Sequence, residues 1–172
     1  MHNFTAPELL KTPRLILRMF DDKDWDALAE LFGDEACVRY TTGSTQTRWQ
    51  SWRTLAAYVG HWTLRGYGPY AVTDRVTGDT LGTVGLWFPG DWPEPEVKWA
   101  LIRRFWGQGY ATEAAAAVIA MAKGDLGWGR LISLIVPENH ASKAVARRLG
   151  GVHEKTIPFR GGVADIFAYR FD

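Results

Sequence analysis

Cysteine is almost missing from this chain: Cys37 is the only one among 172 residues, so no intrachain disulfide can form. Its setting, "DEACVRY", gives no reason to read it as a nucleophile, and it is taken as a packing thiol. His2, His61, His140 and His153 have no close paired spacing with acidic or thiol ligands, so no metal is expected. No apolar run approaches the roughly 20 residues of a membrane helix. The opening "MHNFTAPELLKTPRLILR" lacks the apolar segment and small-residue cleavage site of a signal peptide. A cytoplasmic protein without a membrane partner is therefore expected. A clear excess of either charge is missing too. Twenty basic residues face nineteen acidic ones, which argues against a nucleic-acid partner, since such partners demand a basic face.

What is present is enough for a packed core. Hydrophobic residues make up 47% and charged residues 23%, the balance of a globular chain, and the length fits one domain spanning residues 1–172. "RLILRMF" (14–20) reads as a first strand. "DDKDWDALAELFGD" reads as a helix capped by Asp21 or Asp22 and stopped by Gly33. A second helix lies in "STQTRWQSWRTLAAYVGHWTLRG", capped by Thr47 or Ser44 and ended by Gly66. Its stripe is Trp49, Trp52, Leu55, Ala56, Val59 and Trp62. "YGPYAVTDRVTGDTLGTVGLWF" is a hairpin turning at "VTGD". After the proline-broken loop "PGDWPEPE" come a strand "EVKWALI", a helix from Tyr110 to Lys123, a strand "RLISLIV" (130–136) and a short helix "NHASKAVARRLG" (139–150). Asn139 caps that last helix, and "GVHEKTIPF" and "VADIFAYRF" are the final strands. The order βααβββαβαββ predicts a mixed α/β (α+β) fold whose sheet has hairpin and crossover connections.

One stretch carries chemistry. "RRFWGQGYATEA" (103–114) places two glycines between a strand and a helix. A helix start leaves about four N–H groups without intrahelical partners and carries partial positive charge, which suits phosphate oxygens. Gly107 and Gly109 permit the turn and keep Cβ atoms away from such a ligand. The backbone amides of Gly107, Gln108, Gly109, Tyr110, Ala111 and Thr112 are the candidate cradle. A Rossmann fingerprint would need glycine or alanine where Thr112 stands, and no glycine–lysine–hydroxyl string of a Walker A loop exists.

"WALIRRFWGQGYATEA" closely resembles the acyl-coenzyme A signature of the GNAT acyltransferase superfamily, and in particular its branch of ribosomal-protein N-terminal acetyltransferases. The superfamily pattern is Gln or Arg, two residues, Gly, one residue, Gly or Ala. Here it falls on Trp106, Gly109 and Ala111, with Trp106 departing from the usual Gln or Arg. A second register, Arg104, Gly107, Gly109, leaves less strand before the turn. "PRLILR" is similar to the branch's first strand and "GYGPYAVTDRVTGDTLGTVGL" to its central hairpin. "VPENHASKAVARRLGG" resembles its second signature, with Gly151 in place of the usual phenylalanine. Four segments in the right order carry the resemblance.

The resemblance implies a central, mostly antiparallel, splayed sheet flanked by about four helices, with acetyl-CoA as co-substrate. Its pantetheine arm would pair with main-chain groups of Trp99, Ala100 and Leu101, an N–H near Leu101 would polarise the thioester carbonyl, and Asn139 would touch pantetheine. Ser142 would protonate the departing thiolate, the tyrosine that many members use falling on Ala146 here. Glu96 is the first candidate for the base, followed by Glu94 and Glu154; alternatively Asp91, Glu94 and Glu96 attract a cationic amine together.

The implied activity is acetyl transfer to a primary amine by direct attack. The acceptor is left open between a protein N-terminus and a small amine such as an aminoglycoside or polyamine. Trp49, Trp52, Trp62, Trp87 and Trp92 are candidate pocket walls or core residues. A homodimer is left open. The rival from another class is an inactive domain that binds acyl-CoA as a sensor or interaction module.

Overall fold

The computed structural model describes residues 5–171; residues 1–4, among them His2 and the start of the N-terminal segment, and residue 172 lie outside the described residues. The elements are β1 (Leu9–Lys11), β2 (Leu15–Arg18), a 3-10 turn (Asp22–Asp24), α1 (Trp25–Gly33), α2 (Glu35–Val38), α3 (Arg48–Arg65), β3 (Pro69–Asp74) and β4 (Thr80–Trp87). They continue with β5 (Glu96–Leu101), a 3-10 turn (Arg103–Phe105), α4 (Tyr110–Gly124), β6 (Arg130–Ile135), α5 (His140–Arg148), β7 (Val152–Phe159) and β8 (Gly162–Arg170). Eight strands make one sheet in the order β1-β2-β3-β4-β5-β6-β8-β7. Every neighbouring pair is antiparallel except β5 and β6. The mixed, mostly antiparallel expectation holds.

Strand alternation assigns the two faces. Leu15, Leu17, Tyr70, Val72, Val84 and Val97 pack with α4 on one side. Ala114, Ala115, Val118 and Ala122 are fully buried there, and their small size explains the alanine run: it lets α4 lie close to the sheet. On the opposite face, Ala71 and Ala100 pack with Leu28, Leu31, Phe32, Leu55 and Tyr58 of α1 and α3.

Several boundaries differ from the sequence reading. The first helix begins with a 3-10 turn, which Asp21 caps through Lys23 N–H, and the α-helix proper starts at Trp25. The short strand β1 and the single turn α2 carry too few residues for a periodic signal. Thr47, not Ser44, caps α3, in a reciprocal capping box with Gln50, and Gly66 ends the helix at φ +75°. Trp62 is buried, as are Leu55 and Tyr58, but Trp49 and Trp52 stack on each other outside the core with ring centroids 5.9 Å apart. Two large aromatics at helical spacing thus belong to the surface.

Candidate active site

The β5–β6 pair holds the site because it opens. The two strands register at one position, Glu96 opposite Ile132, where Ile132 N–H donates to Pro95 O at 3.2 Å. Beyond it they part. Opposed residues in the antiparallel β4–β5 ladder alternate between bonded and non-bonded pairs. Ile102 N–H donates to Leu81 O, which sets the phase. Ala100 and Lys98 therefore turn their main-chain groups toward β4, while Val97, Trp99 and Leu101 turn theirs toward β6. Ser133 Oγ takes up the Val97 carbonyl at 2.7 Å, and Trp106 Nε1 takes up the Leu101 carbonyl at 2.7 Å. The main-chain groups of Trp99 and the N–H of Leu101 face the gap.

The gap widens into a cavity of about 1230 Å³ whose walls include Glu96, Lys98, Trp99, Ala100, Asn139 and Ser142. It is larger than a typical single-ligand pocket, leaving room for two reactants. Trp87 and Trp92 also line it, whereas Trp49, Trp52 and Trp62 do not. Leu101 and the glycine turn lie outside its wall.

Ser142 sits in the first turn of α5. Asn139 caps that helix, its Oδ1 accepting from Ser142 N–H at 3.1 Å. The indole Nε1–H of Trp99 donates to Ser142 Oγ at 3.2 Å, so the Trp99 side chain does more than pack. Its role was missed because a strand tryptophan beside a core reads as core. Ala146 is wholly buried. A Cβ at Gly151 would come within 2.8 Å of the Tyr169 ring and 2.9 Å of Ala146 O, which explains why no phenylalanine stands there.

Glu96 is 6% exposed, yet it reaches the cavity wall. Oε1 accepts from Trp92 Nε1 at 2.9 Å and Oε2 from Leu134 N–H at 3.2 Å. Burial pushes its carboxyl above the ordinary glutamate value, and the opposing pulls of Lys98, Trp92 and Leu134 do not overcome that. Lys98, two residues on and therefore on the same strand face, donates to Tyr58 Oη at 3.0 Å.

The other carboxylates are differently engaged. Arg130 grips Glu94 through two bonds of 2.6 and 3.0 Å and Glu154 through two of 3.0 and 3.1 Å. Those hydrogen bonds from Arg130 hold Glu154 below the usual glutamate value. Asp91 is an exposed turn residue at φ +64°. Neither Asp91 nor Glu94 shares the cavity wall with Glu96, so the expected trio of Asp91, Glu94 and Glu96 does not line it, and Glu154 lies off the wall as well.

At the glycine turn, Gly107 and Gly109 adopt φ of +72° and +81°, a region L-residues disfavour. Gly109 is the N-cap of α4, and Glu113 N–H donates to Gly109 O at 3.0 Å to open the helix. The amides just before Glu113 point out of the helix start. Arg14 braces the turn: it donates to Gln108 O at 3.0 Å, pairs with Glu113 at 2.6 Å and lies over the Tyr110 ring at 4.4 Å. A contact across 94 residues leaves no local trace in the sequence.

Cys37 is buried, and burial followed by the Asp34 charge raises its thiol above the ordinary value. Its sulfur lies 3.6 Å from Leu101 O. Among the described residues no helix is long and apolar enough to cross a membrane.

Comparison with known proteins places this geometry. Residues 14–152 match the model of the acetyltransferase (GNAT) domain. The chain is 34% identical over 162 residues to the protein YkkB of Bacillus subtilis, covering 88% of this chain and 90% of that one. Its fold superposes on an acetyltransferase from Agrobacterium tumefaciens with a TM-score of 0.87 at 27% identity, covering 96% of both chains. The ribosomal L7/L12 α-N-protein acetyltransferase RimL, solved in complex with coenzyme A, shares the fold at a TM-score of 0.76 and 21% identity, over 96% of this chain and 99% of its own.

Proposed function

Since the chain belongs to the GNAT acetyltransferase family, we propose that it transfers the acetyl group of acetyl-CoA to a primary amine by direct attack within the β5–β6 gap. The observation that carries this reading is the gap itself, with Glu96 and Ser142 on the wall of one cavity and unladdered main-chain groups between them.

The residues fit the co-substrate. The gap offers strand-edge groups of Trp99 and the N–H of Leu101 to a pantetheine arm; the main chain of Ala100 is committed to β4 and contributes only its place on the wall. Asn139 spends its Oδ1 on the Ser142 amide and keeps its side-chain N–H groups for the same arm. The amides of residues 107–112 receive the pyrophosphate at the start of α4. The thioester supplies the activated acetyl group.

Each role then follows from local chemistry. Glu96, with its affinity for protons raised by burial, takes the proton from the substrate ammonium. The Leu101 N–H meets the negative charge that develops on the thioester oxygen as the amine nitrogen attacks. The carbon–sulfur bond breaks and Ser142 gives its hydroxyl proton to the sulfur. Trp99 favours that direction: by donating into Oγ it occupies an acceptor site and leaves the O–H to donate elsewhere. Ser142 recovers its proton from solvent.

Cys37 makes a poor nucleophile for an acyl-enzyme, because it is buried with a raised thiol pKa. Acetyl-CoA incubated with the protein alone should leave its mass unchanged, and Cys37→Ala should turn over normally. A covalently acetylated protein competent to acetylate added amine would replace direct attack with a two-step route.

A further inference from the structure

The charges around the cavity are lopsided. Its walls carry four basic side chains, Arg39, Arg53, Lys98 and Arg160, against two carboxylates, Glu96 and Glu138. Arg39 follows α2, Arg53 lies on α3, Lys98 on β5 and Arg160 in the turn between β7 and β8, so four separate elements bring a cation to one space. Elsewhere Arg14 pairs with Glu113, Arg18 with Asp24, Arg103 with Asp34, Arg104 with Glu30, and Arg130 with Glu94 and Glu154, while Arg65 and Arg147 lie over rings and Arg75 donates to main-chain carbonyls. None of the four cavity cations takes part in an ion pair found among the described residues. Of the two carboxylates, Glu138 stands beside Asn139 at the end where α5 begins, and Glu96 is committed to proton transfer.

The aromatic walls add to this. The Lys98 ammonium lies 4.7 Å from the ring centroids of both Tyr58 and Trp87, so the faces that would cage an added cation already hold one from the chain itself. Trp92 meets Phe159 edge to face at 5.0 Å, giving an apolar flank.

Resting on the acetyltransferase reading, we infer that the acceptor is a small acidic amine: a primary amine that carries a carboxylate or phosphate on the same compact body, with Lys98 and Arg53 receiving the anion. A polycation such as a polyamine or aminoglycoside would bring further positive charge to walls already cationic, and is disfavoured. A cationic surround also favours the neutral, attacking form of the amine.

The test uses matched amines in a thiol-release assay with acetyl-CoA: phenylalanine against phenethylamine, phosphoethanolamine against ethanolamine, and spermidine alone. Rates are referred to the unprotonated fraction of each amine. The acidic member of at least one pair should lead in kcat/KM by about tenfold or more, the scale of a charge-assisted hydrogen bond. Which pair shows it separates carboxylate from phosphate. Lys98→Met should erase most of the lead through KM, and Lys98→Arg should keep it. Equal rates within both pairs, or a lead for spermidine, would overturn the inference while leaving the acetyltransferase intact. If no amine releases thiol, the enzyme reading fails separately. Titrating N-acetylphenylalanine and N-acetylphenethylamine into the coenzyme A complex then decides the charge question: tighter binding of the acid supports it, and equal or undetectable binding of both overturns it.

Discussion

The indole N–H of Trp99 and the hydroxyl oxygen of Ser142 lie 3.2 Å apart, joining the opened strand β5 to the first turn of α5. The donor can only be the indole, since that nitrogen has no acceptor capacity. The bond therefore fixes which way the serine proton is free to go. Ser142→Ala should lower kcat by about 10²-fold, the low end for a general acid because thiolate leaves readily. Coenzyme A affinity should be unchanged. Trp99→Phe should cost less, and the double variant should be no slower than Ser142→Ala, because the indole acts through the serine. Additive losses in steady-state kinetics would separate the two residues.

Glu96 should give a pH signature. Its pKa lies above the ordinary value, so its carboxylate, the proposed base, is lost as pH falls through that raised value. Glu96→Gln should depress kcat/KM strongly near neutral pH and progressively less at high pH, where the amine is already deprotonated in solution. A loss independent of pH would reassign Glu96 to acceptor binding.

Gly109 combines φ +81° with a Cβ position 3.4 Å from an Arg14 guanidinium nitrogen. Gly109→Val should strain the turn by about 1–3 kcal/mol and place a side chain in the proposed pyrophosphate cradle. Calorimetry should show coenzyme A binding weakened by at least about tenfold, on the scale of one charge-assisted hydrogen bond. Unchanged affinity would place the phosphates elsewhere.

His61 stacks on Trp87 of the cavity wall with ring centroids 4.7 Å apart. Nδ1 lies 2.8 Å from Tyr67 O and must donate, while Nε2 accepts from Phe88 N–H at 2.9 Å, so the ring is neutral. Burial lowers its pKa below 6.5. The stability it contributes is full above about pH 6.5, the unfolded value, and is lost as pH falls toward the lowered folded value. Denaturant midpoints should fall across that acidic window in the wild type and less in His61→Gln. His61→Ala should cost about 2–4 kcal/mol through its cavity and unpaired groups.

The glycine turn, the Asn139 cap and the burial of Trp62 were legible because each rests on local rules: a left-handed φ, a cap, a helical stripe. The α3 tryptophans were not, since spacing places a side chain on a face without saying what covers that face. Sequence ranks Glu96 ahead of Glu94 and Glu154 only by its place at the start of a strand, without showing what holds the other two. Arg130 separates them by reaching across the sheet to hold two of the three. The same limit hid the Trp99–Ser142 bond, which spans 43 residues, and the gathering of four cations from four elements. Lys98 alone left a readable signal, two positions from Glu96 on one strand face.

The central claim is acetyl transfer to an amine, and amine-dependent release of coenzyme A thiol, with the product identified by mass spectrometry, tests it most directly. The account predicts thiol release that requires an amine and matches the N-acetylated amine mole for mole. Tight acetyl-CoA binding with no release on any amine would contradict it and leave an acyl-CoA-binding sensor or interaction module in its place.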